Sequence, residues 1–370
     1  MKNKGKLAIA LALSFVAVGI SGTARAQTPS QPADVPEQFA DLGDLKLQSG
    51  AVVHNFRLGY RTLGKLNADK SNAVLWPTYL GGATQDLLEY VGSQNVVDTG
   101  KYFVILVDSI GNGISTSPSN SKTQPRMRFP RFTIRDMVES EHRLVTETLH
   151  LSRLHAVMGI SMGAMQTFEW VTGYPDFMDV AIPLSGSPQS TSYDKLLWTA
   201  QIEALELDPK WKGGNGRGPM TRGFAVYSEI GSMNVTSPTY RVQHTSPKDF
   251  DAFLAQTKKD GLGDAAAACD AIRQREAIMS LDIPGEYGET MEESTKRVHA
   301  KMLVFVSPED HMVNPEPAVA FANALGAAVV MLESACGHIS SSCISVGPIV
   351  AKFLAEPGSV QATTLRANSK

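Results

Sequence analysis

A serine between two glycines has the setting that best suits nucleophilic chemistry in this sequence. Ser161 lies in the run GISMG at residues 159–163, which follows an apolar run and precedes a helical pattern. A serine on a strand-turn-helix bend is held in a strained backbone conformation. A side chain two residues to either side would collide with the neighbouring strand or helix, and glycine at both places removes the collision. The pattern predicts a nucleophile elbow with Ser161 as the attacking group.

A serine hydroxyl becomes a good nucleophile only when a base within hydrogen-bond reach takes its proton. At elbows of this kind the acid and the histidine follow the serine along the chain. Among the downstream histidines, only His338 follows the last strand-like run, and Gly337 before it allows a sharp bend. His244 and His299 lie in or at the end of a region without strand-like runs, and we interpret each as a surface or structural histidine. His338 is the predicted base.

Asp310 is the predicted acid, because it comes just after the apolar run Leu303 to Ser307 and 28 residues before His338. Its carboxylate would hold the imidazole tautomer and stabilise the cation that forms in the transition state. Glu309 is the alternative acid. Asp108 also ends a strand-like run, but it precedes the serine and is interpreted as a loop or structural carboxylate.

Two backbone N–H groups are also required, to stabilise the negative oxygen of a tetrahedral intermediate. The N–H of Met162, at the start of the helix after Ser161, is one candidate. The second should come from the loop after an early strand, which fits residues 76–82. Leu80 is the favoured donor there, with Gly81 as the alternative.

The composition and the remaining motifs exclude several other classes of function. Charged residues are 19% of the chain and the formal net charge is −3, so there is no basic field for nucleic acid or an anionic membrane. No His and Cys spacing indicates zinc, and the glycines at 111 and 113 indicate a turn and not a phosphate or dinucleotide loop. We expect a small-molecule acyl substrate, and no metal or organic cofactor.

These residues need a scaffold, and the pattern of apolar runs indicates which one. Near-continuous apolar strands separated by helices predict an α/β fold with a mostly parallel sheet covered on both faces. Helices are predicted over residues 134–149 and 162–172. The predicted strands cover residues 73–79, 102–108, 154–160, 180–184, 302–307 and 328–332.

The strand-helix rhythm stops between about residues 190 and 299, which predicts an inserted, mainly helical cap over the C-terminal edge of the strands. The expected core is 41–189 with 300–356. Residues 27–40 and 357–370 are expected to be a flexible lead-in and a flexible tail.

Residues 1–26 have the pattern of a secretory signal: three lysines, then an uncharged run, then Ala24-Arg25-Ala26. The uncharged run is shorter than the roughly 20 residues that span a bilayer. We therefore expect cleavage near Gln27, a periplasmic or secreted product, and no membrane span in the mature chain. Three cysteines remain, and in an oxidising compartment Cys336 and Cys343 are the expected pair, with three buried free thiols as the alternative.

Several motifs together resemble the homoserine O-acetyltransferase family, a branch of the α/β hydrolases. The resemblance covers roughly residues 50–355. It implies the α/β-hydrolase fold, a triad at Ser161, Asp310 and His338, an oxyanion hole at Leu80 and Met162, and a helical lid. The motifs lie at residues 98–104, 132–138, 159–166, 169–170, 208–211 and 337–338.

Two positions depart from the pattern of family members that acetylate homoserine. Those members usually carry an Asp directly after the catalytic histidine and an Arg several residues before the Asp-Pro pair, where this chain has Ile339 and Ile202. An amino-acid substrate needs a cation for its carboxylate, so a site without one discriminates poorly for it. We therefore expect a hydrolase of an ester or related acyl compound. Acyl transfer to an alcohol and a non-catalytic binding module are the alternatives, and a homodimer is left open.

Overall fold

The computed structural model describes residues 35–92 and 95–367, so the predicted signal segment 1–26 and most of the predicted lead-in lie outside the described residues. One nine-stranded sheet runs in the order β1-β2-β4-β3-β5-β6-β7-β8-β9. The first two pairings, β1 with β2 and β2 with β4, are antiparallel, and the others are parallel. The strands are β1 Gln38–Lys46, β2 Val52–Leu63, β3 Ala73–Pro77, β4 Phe103–Val107, β5 Leu154–Ile160, β6 Met178–Leu184, β7 Lys301–Val306, β8 Ala328–Glu333 and β9 Thr363–Arg366.

Helices connect the parallel strands and continue between β6 and β7. A π-helical turn, Leu144–Thr148, extends α2, and a 3₁₀ turn, Gly337–Ile339, follows β8. We refer to α4–α10, which all lie between β6 and β7, as the cap. The α-helices are α1 Thr84–Leu87, α2 Ile134–Arg143, α3 Met162–Gly173, α4 Ser192–Glu206, α5 Thr221–Asn234, α6 Pro238–His244, α7 Phe250–Asp260, α8 Ala265–Met279, α9 Ile283–Tyr287, α10 Met291–Thr295, α11 Glu316–Leu325, α12 Ser340–Cys343 and α13 Gly347–Ala355.

The central strands are apolar throughout because both faces of the sheet are buried. Successive side chains point to opposite faces, so Leu75 and Val157 join one hydrophobic cluster while Val74 and Ala156 join the other. The cap has a smaller cluster of its own, which includes Trp211. The predicted α/β fold with a mostly parallel sheet covered on both faces is therefore confirmed.

The sequence did not indicate the strands at the two ends of the sheet. β2 alternates buried and exposed residues over polar positions, and β1 pairs with it at an edge, so neither has the continuous apolar run of a central strand. The expected flexible tail is wrong for Thr363–Arg366, because these residues form β9 alongside β8. The lead-in likewise ends inside β1, since Gln38 already pairs with Tyr60.

Among the described residues, no single helix has both the length and the hydropathy to cross a membrane, although the bent pair Gly337–Cys343 and Gly347–Ala355 reaches both when counted together.

Candidate active site

The turn after β5 holds Ser161 by close backbone packing. Its φ of 57° and ψ of −121° are strained for a residue with a side chain, and its N–H donates to the Leu184 carbonyl at 2.9 Å. A Cβ on Gly159 would lie 2.2 Å from the Gly163 carbonyl carbon, and one on Gly163 would lie 2.6 Å from the Pro77 oxygen. Only glycine fits at either place, so the predicted elbow geometry is present.

Three side chains meet at this turn in one hydrogen-bonded chain. The Ser161 Oγ lies 2.8 Å from His338 Nε2, and His338 Nδ1 lies 2.7 Å from Asp310 Oδ2. His338 and Asp310 are buried, whereas Ser161 is partly exposed. With the ring proton on Nδ1, the imidazole donates to the carboxylate and keeps Nε2 free to accept the serine proton. The arrangement can therefore activate the hydroxyl for attack.

Asp310, and not Glu309, faces the histidine. Its second oxygen, Oδ1, accepts the backbone N–H groups of Met312 and Val313, both at 2.9 Å, so the carboxylate is held from both sides. The Glu309 side chain is 53% exposed and lies 3.9 Å from the neighbouring His311. The two histidines that were set aside lie elsewhere: His244 is on cap helix α6, and His299 contacts Asp176.

The loop after β3 brings the second predicted oxyanion donor next to the turn. Gly163 packs against the end of β3, which leads directly into Leu80. Within the described residues, the N–H groups of Leu80 and Met162 donate no hydrogen bond, so both can donate to a bound oxygen. The alternative donor, the Gly81 N–H, is already engaged, because it donates to the Gln274 Oε1 at 2.9 Å.

A buried carboxylate at the end of β4 supports the loop between β3 and α1, residues 78–83, which we call the oxyanion loop. Asp108 accepts hydrogen bonds from the backbone N–H and hydroxyl of Thr84 and from the Asn112 amide, at 2.8 to 2.9 Å. The same Asn112 amide donates to the Gly82 carbonyl at 3.0 Å. Burial raises the Asp108 pKa from 3.8 to about 6, against the lowering effect of these bonds. Asp108 thus has a structural role, which its position at the end of a strand alone could not specify.

The loop that carries His338 is closed by a disulfide between Cys336 and Cys343, seven residues apart. This is the expected pairing, and Cys269 is a buried free thiol in the cap. The loop also touches the cap, since the His338 N–H donates to the Val235 carbonyl at 3.1 Å. Gly337 has a φ of 62°, and a Cβ there would lie 2.9 Å from the Ser237 nitrogen.

The acid loop is tied to the cap in the same way. Asp194, near the start of α4, accepts the Asn314 N–H at 2.9 Å through Oδ1. Its other oxygen accepts the N–H and hydroxyl of Thr191, which caps the helix. The sequence did not predict this contact or the one from Gln274, because the partners lie 120 and 193 residues apart in the chain.

The other motif residues lie between α2 and α3, the helix that follows Ser161. Arg135 pairs with the buried Glu169 at 2.8 Å, and the Trp170 indole donates to Glu141 at 2.7 Å. Burial raises the pKa of Glu141 and of Glu169 to about 8. These bonds join α2 to α3, so the motif residues position the helix and do not line the triad.

Both positions that depart from the acetyltransferase pattern carry an isoleucine that is partly buried. Ile202 packs against the cap cluster around Trp211, and Ile339 is partly buried directly after His338. Among residues 35–92 and 95–367, no group of three or more His, Cys, Asp or Glu side chains is placed to hold a metal ion.

Comparison with known proteins places this arrangement among described families. A family model described as alpha/beta hydrolase fold matches residues 81–341. The chain is similar to an ethyl acetate hydrolase from Pseudomonas veronii, 38% identical over 211 residues that make up 55% of this chain and 60% of the relative. It is also similar to a homoserine O-acetyltransferase from Geotalea daltonii, 32% identical over 80% of this chain and 90% of the relative.

Among solved structures, an acetylester hydrolase from Corynebacterium glutamicum aligns with a TM-score of 0.78 at 28% identity. That alignment covers 87% of this chain and 95% of the solved one. The chain spans about half to three fifths of the curated esterases that it matches.

Proposed function

Because the chain belongs to the α/β-hydrolase family, as an enzyme of ester hydrolysis or acyl transfer, we propose that it hydrolyses small acyl esters through Ser161. The observation that carries the proposal is the continuous chain from Ser161 Oγ through His338 to Asp310, at 2.8 and 2.7 Å.

In the first half-reaction, the Ser161 Oγ attacks the ester carbonyl carbon while its proton moves to His338 Nε2. The carbonyl oxygen becomes an anion, which accepts the N–H groups of Leu80 and Met162. When the intermediate collapses, the carbon–oxygen bond to the alcohol breaks, and the alcohol leaves with the proton from His338. The acyl group remains on Ser161 as an ester.

In the second half-reaction, His338 takes a proton from water, and the hydroxide oxygen attacks the acyl carbon. The same two N–H groups hold the second oxyanion, and collapse returns the proton to Ser161 and releases the carboxylic acid. Asp310 holds the imidazole through Nδ1 and stabilises the imidazolium.

Water is the proposed acceptor, and acetyl esters are the proposed substrates. Ethyl acetate and acetyl ester hydrolases are among the relatives at 38% and 28% identity. Ile202 and Ile339 offer no cation or anion to the charged ends of an amino acid, which disfavours homoserine as the acceptor. The N-terminal secretory pattern supports export of the protein. Outside the cytoplasm, acetyl-CoA should be absent as an acyl donor.

The test is hydrolysis of p-nitrophenyl acetate by the purified protein and by Ser161→Ala. We expect the variant to lose at least about 10⁴-fold in kcat. Ser185→Ala is the matched control, because Ser185 directly follows the adjacent strand β6 and also has a positive φ, of 52°. Its buried hydroxyl has no hydrogen-bond partner among the described residues. Equal activity in wild type and Ser161→Ala would overturn the proposal.

Acyl transfer is the second candidate function. It is supported by the similarity to a homoserine O-acetyltransferase, of which the match covers 90%. Incubation with acetyl-CoA and homoserine, followed by mass spectrometry, separates the two. Acetylhomoserine formed faster than acetate would favour the transferase.

A further inference from the structure

Gln274 reaches from cap helix α8 to the oxyanion loop. Its side chain is 1% exposed, and both of its polar ends are used. The Oε1 accepts the Gly81 N–H at 2.9 Å, and the Nε2 donates to the Ile110 carbonyl at 3.1 Å. Gln274 therefore joins the loop after β3 to the loop after β4, from a helix 193 residues away in the chain.

The oxyanion loop is a short turn at this point: the Gly82 N–H donates to the Tyr79 carbonyl at 2.9 Å, and Leu80 and Gly81 lie between them. Gly81 is exposed, has a φ of 68°, and a Cβ built on it would meet nothing within 4 Å. Side-chain packing therefore does not fix its conformation, and glycine itself restricts it least of all residues. Asn112 and Asp108 hold the loop just after this point. The Asn112 amide donates to the Gly82 carbonyl, and Asp108 accepts the Thr84 N–H. The hydrogen bond from Gly81 to Gln274 is what ties this turn to the cap, at the residue next to Leu80.

Resting on the proposed function, we infer that Gln274 is a positioning residue for the oxyanion hole. By accepting the Gly81 N–H, it turns that group away from the substrate and leaves the Leu80 N–H facing the reacting oxygen together with Met162. The rate of acylation then depends on a cap side chain that acts through the oxyanion loop.

Gln274→Met tests this with a side chain of similar length that lacks both polar groups. Misplacing a donor by a fraction of an ångström should lower kcat about 10- to 100-fold while KM changes little. Arg273→Met is the matched control. Arg273 lies beside it on α8, is also buried, and ties the cap to the carbonyls of Met127 and Phe129, away from the site loops. Its loss should lower stability and leave kcat within about 3-fold, as for contacts remote from the chemistry.

Gln274→Glu keeps the inference testable if the methionine variant is unstable. When protonated, the carboxyl can accept from Gly81 and donate to the Ile110 carbonyl as glutamine does. When ionised, it has no donor and places a negative charge beside the forming oxyanion. The ratio of its kcat to that of wild type should therefore fall as the pH rises, whereas the ratio for Gln274→Met should stay level.

Labelling of Ser161 by a fluorophosphonate separates failure of the inference from failure of the proposed function, because its phosphoryl oxygen occupies the oxyanion site. Wild type that does not react would overturn the proposed function. If wild type reacts, Gln274→Met should react about 10- to 100-fold more slowly, in parallel with kcat. Equal labelling rates, or an equal loss in Arg273→Met, would overturn the role of Gln274.

Discussion

The turn that carries Ser161 and the three loops around it are held in different ways. The turn is fixed by sterics within the sheet, since Gly159 contacts Gly163 and Gly163 contacts Pro77. The oxyanion, acid and histidine loops each donate a backbone N–H to an acceptor on the cap, which is Gln274, Asp194 and Val235 respectively.

This difference separates Ser161, the proposed nucleophile, from the groups proposed to activate it. Ser161 is positioned by residues within a few places of it along the chain and by the adjoining strands. Its partners depend on where the cap lies. Changes to the turn should therefore act through backbone packing, and changes to the loops should act through the hydrogen bonds that orient them.

The largest loss of activity is expected from a change on the acid loop, at Asp310. Asp310→Asn should lower kcat by about 10⁴-fold, because the amide favours the wrong imidazole tautomer. Steady-state hydrolysis of p-nitrophenyl acetate measures the loss. Glu309→Gln is the control and should stay within about 2-fold, as expected for an exposed side chain. The reverse ranking would assign the acid to Glu309.

On the turn side, Gly163→Ala forces a Cβ to within 2.6 Å of the Pro77 oxygen, so backbone must shift. We expect kcat to fall about 100-fold, as for small misplacements of reacting groups, and stability to fall by about 2 kcal/mol from overpacking. Urea unfolding and kcat are the measurements. Gly347→Ala is the matched control near a helix start, because its nearest neighbour would lie at 3.5 Å. Full activity in Gly163→Ala would show that sterics do not hold the turn.

The contribution of Asp108, which supports the oxyanion loop, can be measured by the pH dependence of the unfolding free energy. The Asp108 pKa is about 6 in the folded protein, above its ordinary 3.8, because the group is buried. The folded state therefore retains a proton that the unfolded state releases. Its contribution is complete below pH ~4, is lost as the pH rises through ~6, and amounts to about 3 kcal/mol at most.

Asp108→Asn removes this titration while keeping an acceptor for Thr84. The difference in unfolding free energy between wild type and variant, from urea titrations across that pH range, should shift against wild type as the pH rises. Other buried acids titrate equally in both proteins and cancel. A difference that does not change with pH would mean that Asp108 keeps its ordinary pKa.

The smallest effect is expected from the disulfide. Reducing Cys336–Cys343 with a phosphine leaves the bond from His338 to Val235 in place, so kcat should fall only about 3- to 10-fold with KM unchanged. Cys336→Ser should reproduce the loss, and Cys269→Ala should not, because Cys269 is a free thiol in the cap. A loss as large as that of Asp310→Asn would place the disulfide, and not the cap, as the main restraint on the histidine.

The sequence predicted the parts of the site that depend on local pattern and chain order. Ser161 was recognisable from its two glycines, and His338 and Asp310 from their places after the last strands. Gln274 was not recognisable, because its partner Gly81 is 193 residues away and an isolated glutamine on a helix has no distinctive pattern. The edge strands were missed for a related reason: β9 is four residues long and mostly exposed, and pairing rather than hydrophobicity defines it.

The place of the cap in the chain also has a consequence during synthesis. The ribosome completes β6 at Leu184 and must then make the whole cap before β7 begins at Lys301. Until β7 emerges, one side of β6 has no neighbour, and an unpaired strand edge is a template for aggregation. The nascent chain thus carries Ser161 long before it carries Asp310 and His338, and on the proposed mechanism a product truncated before β7 would be inert.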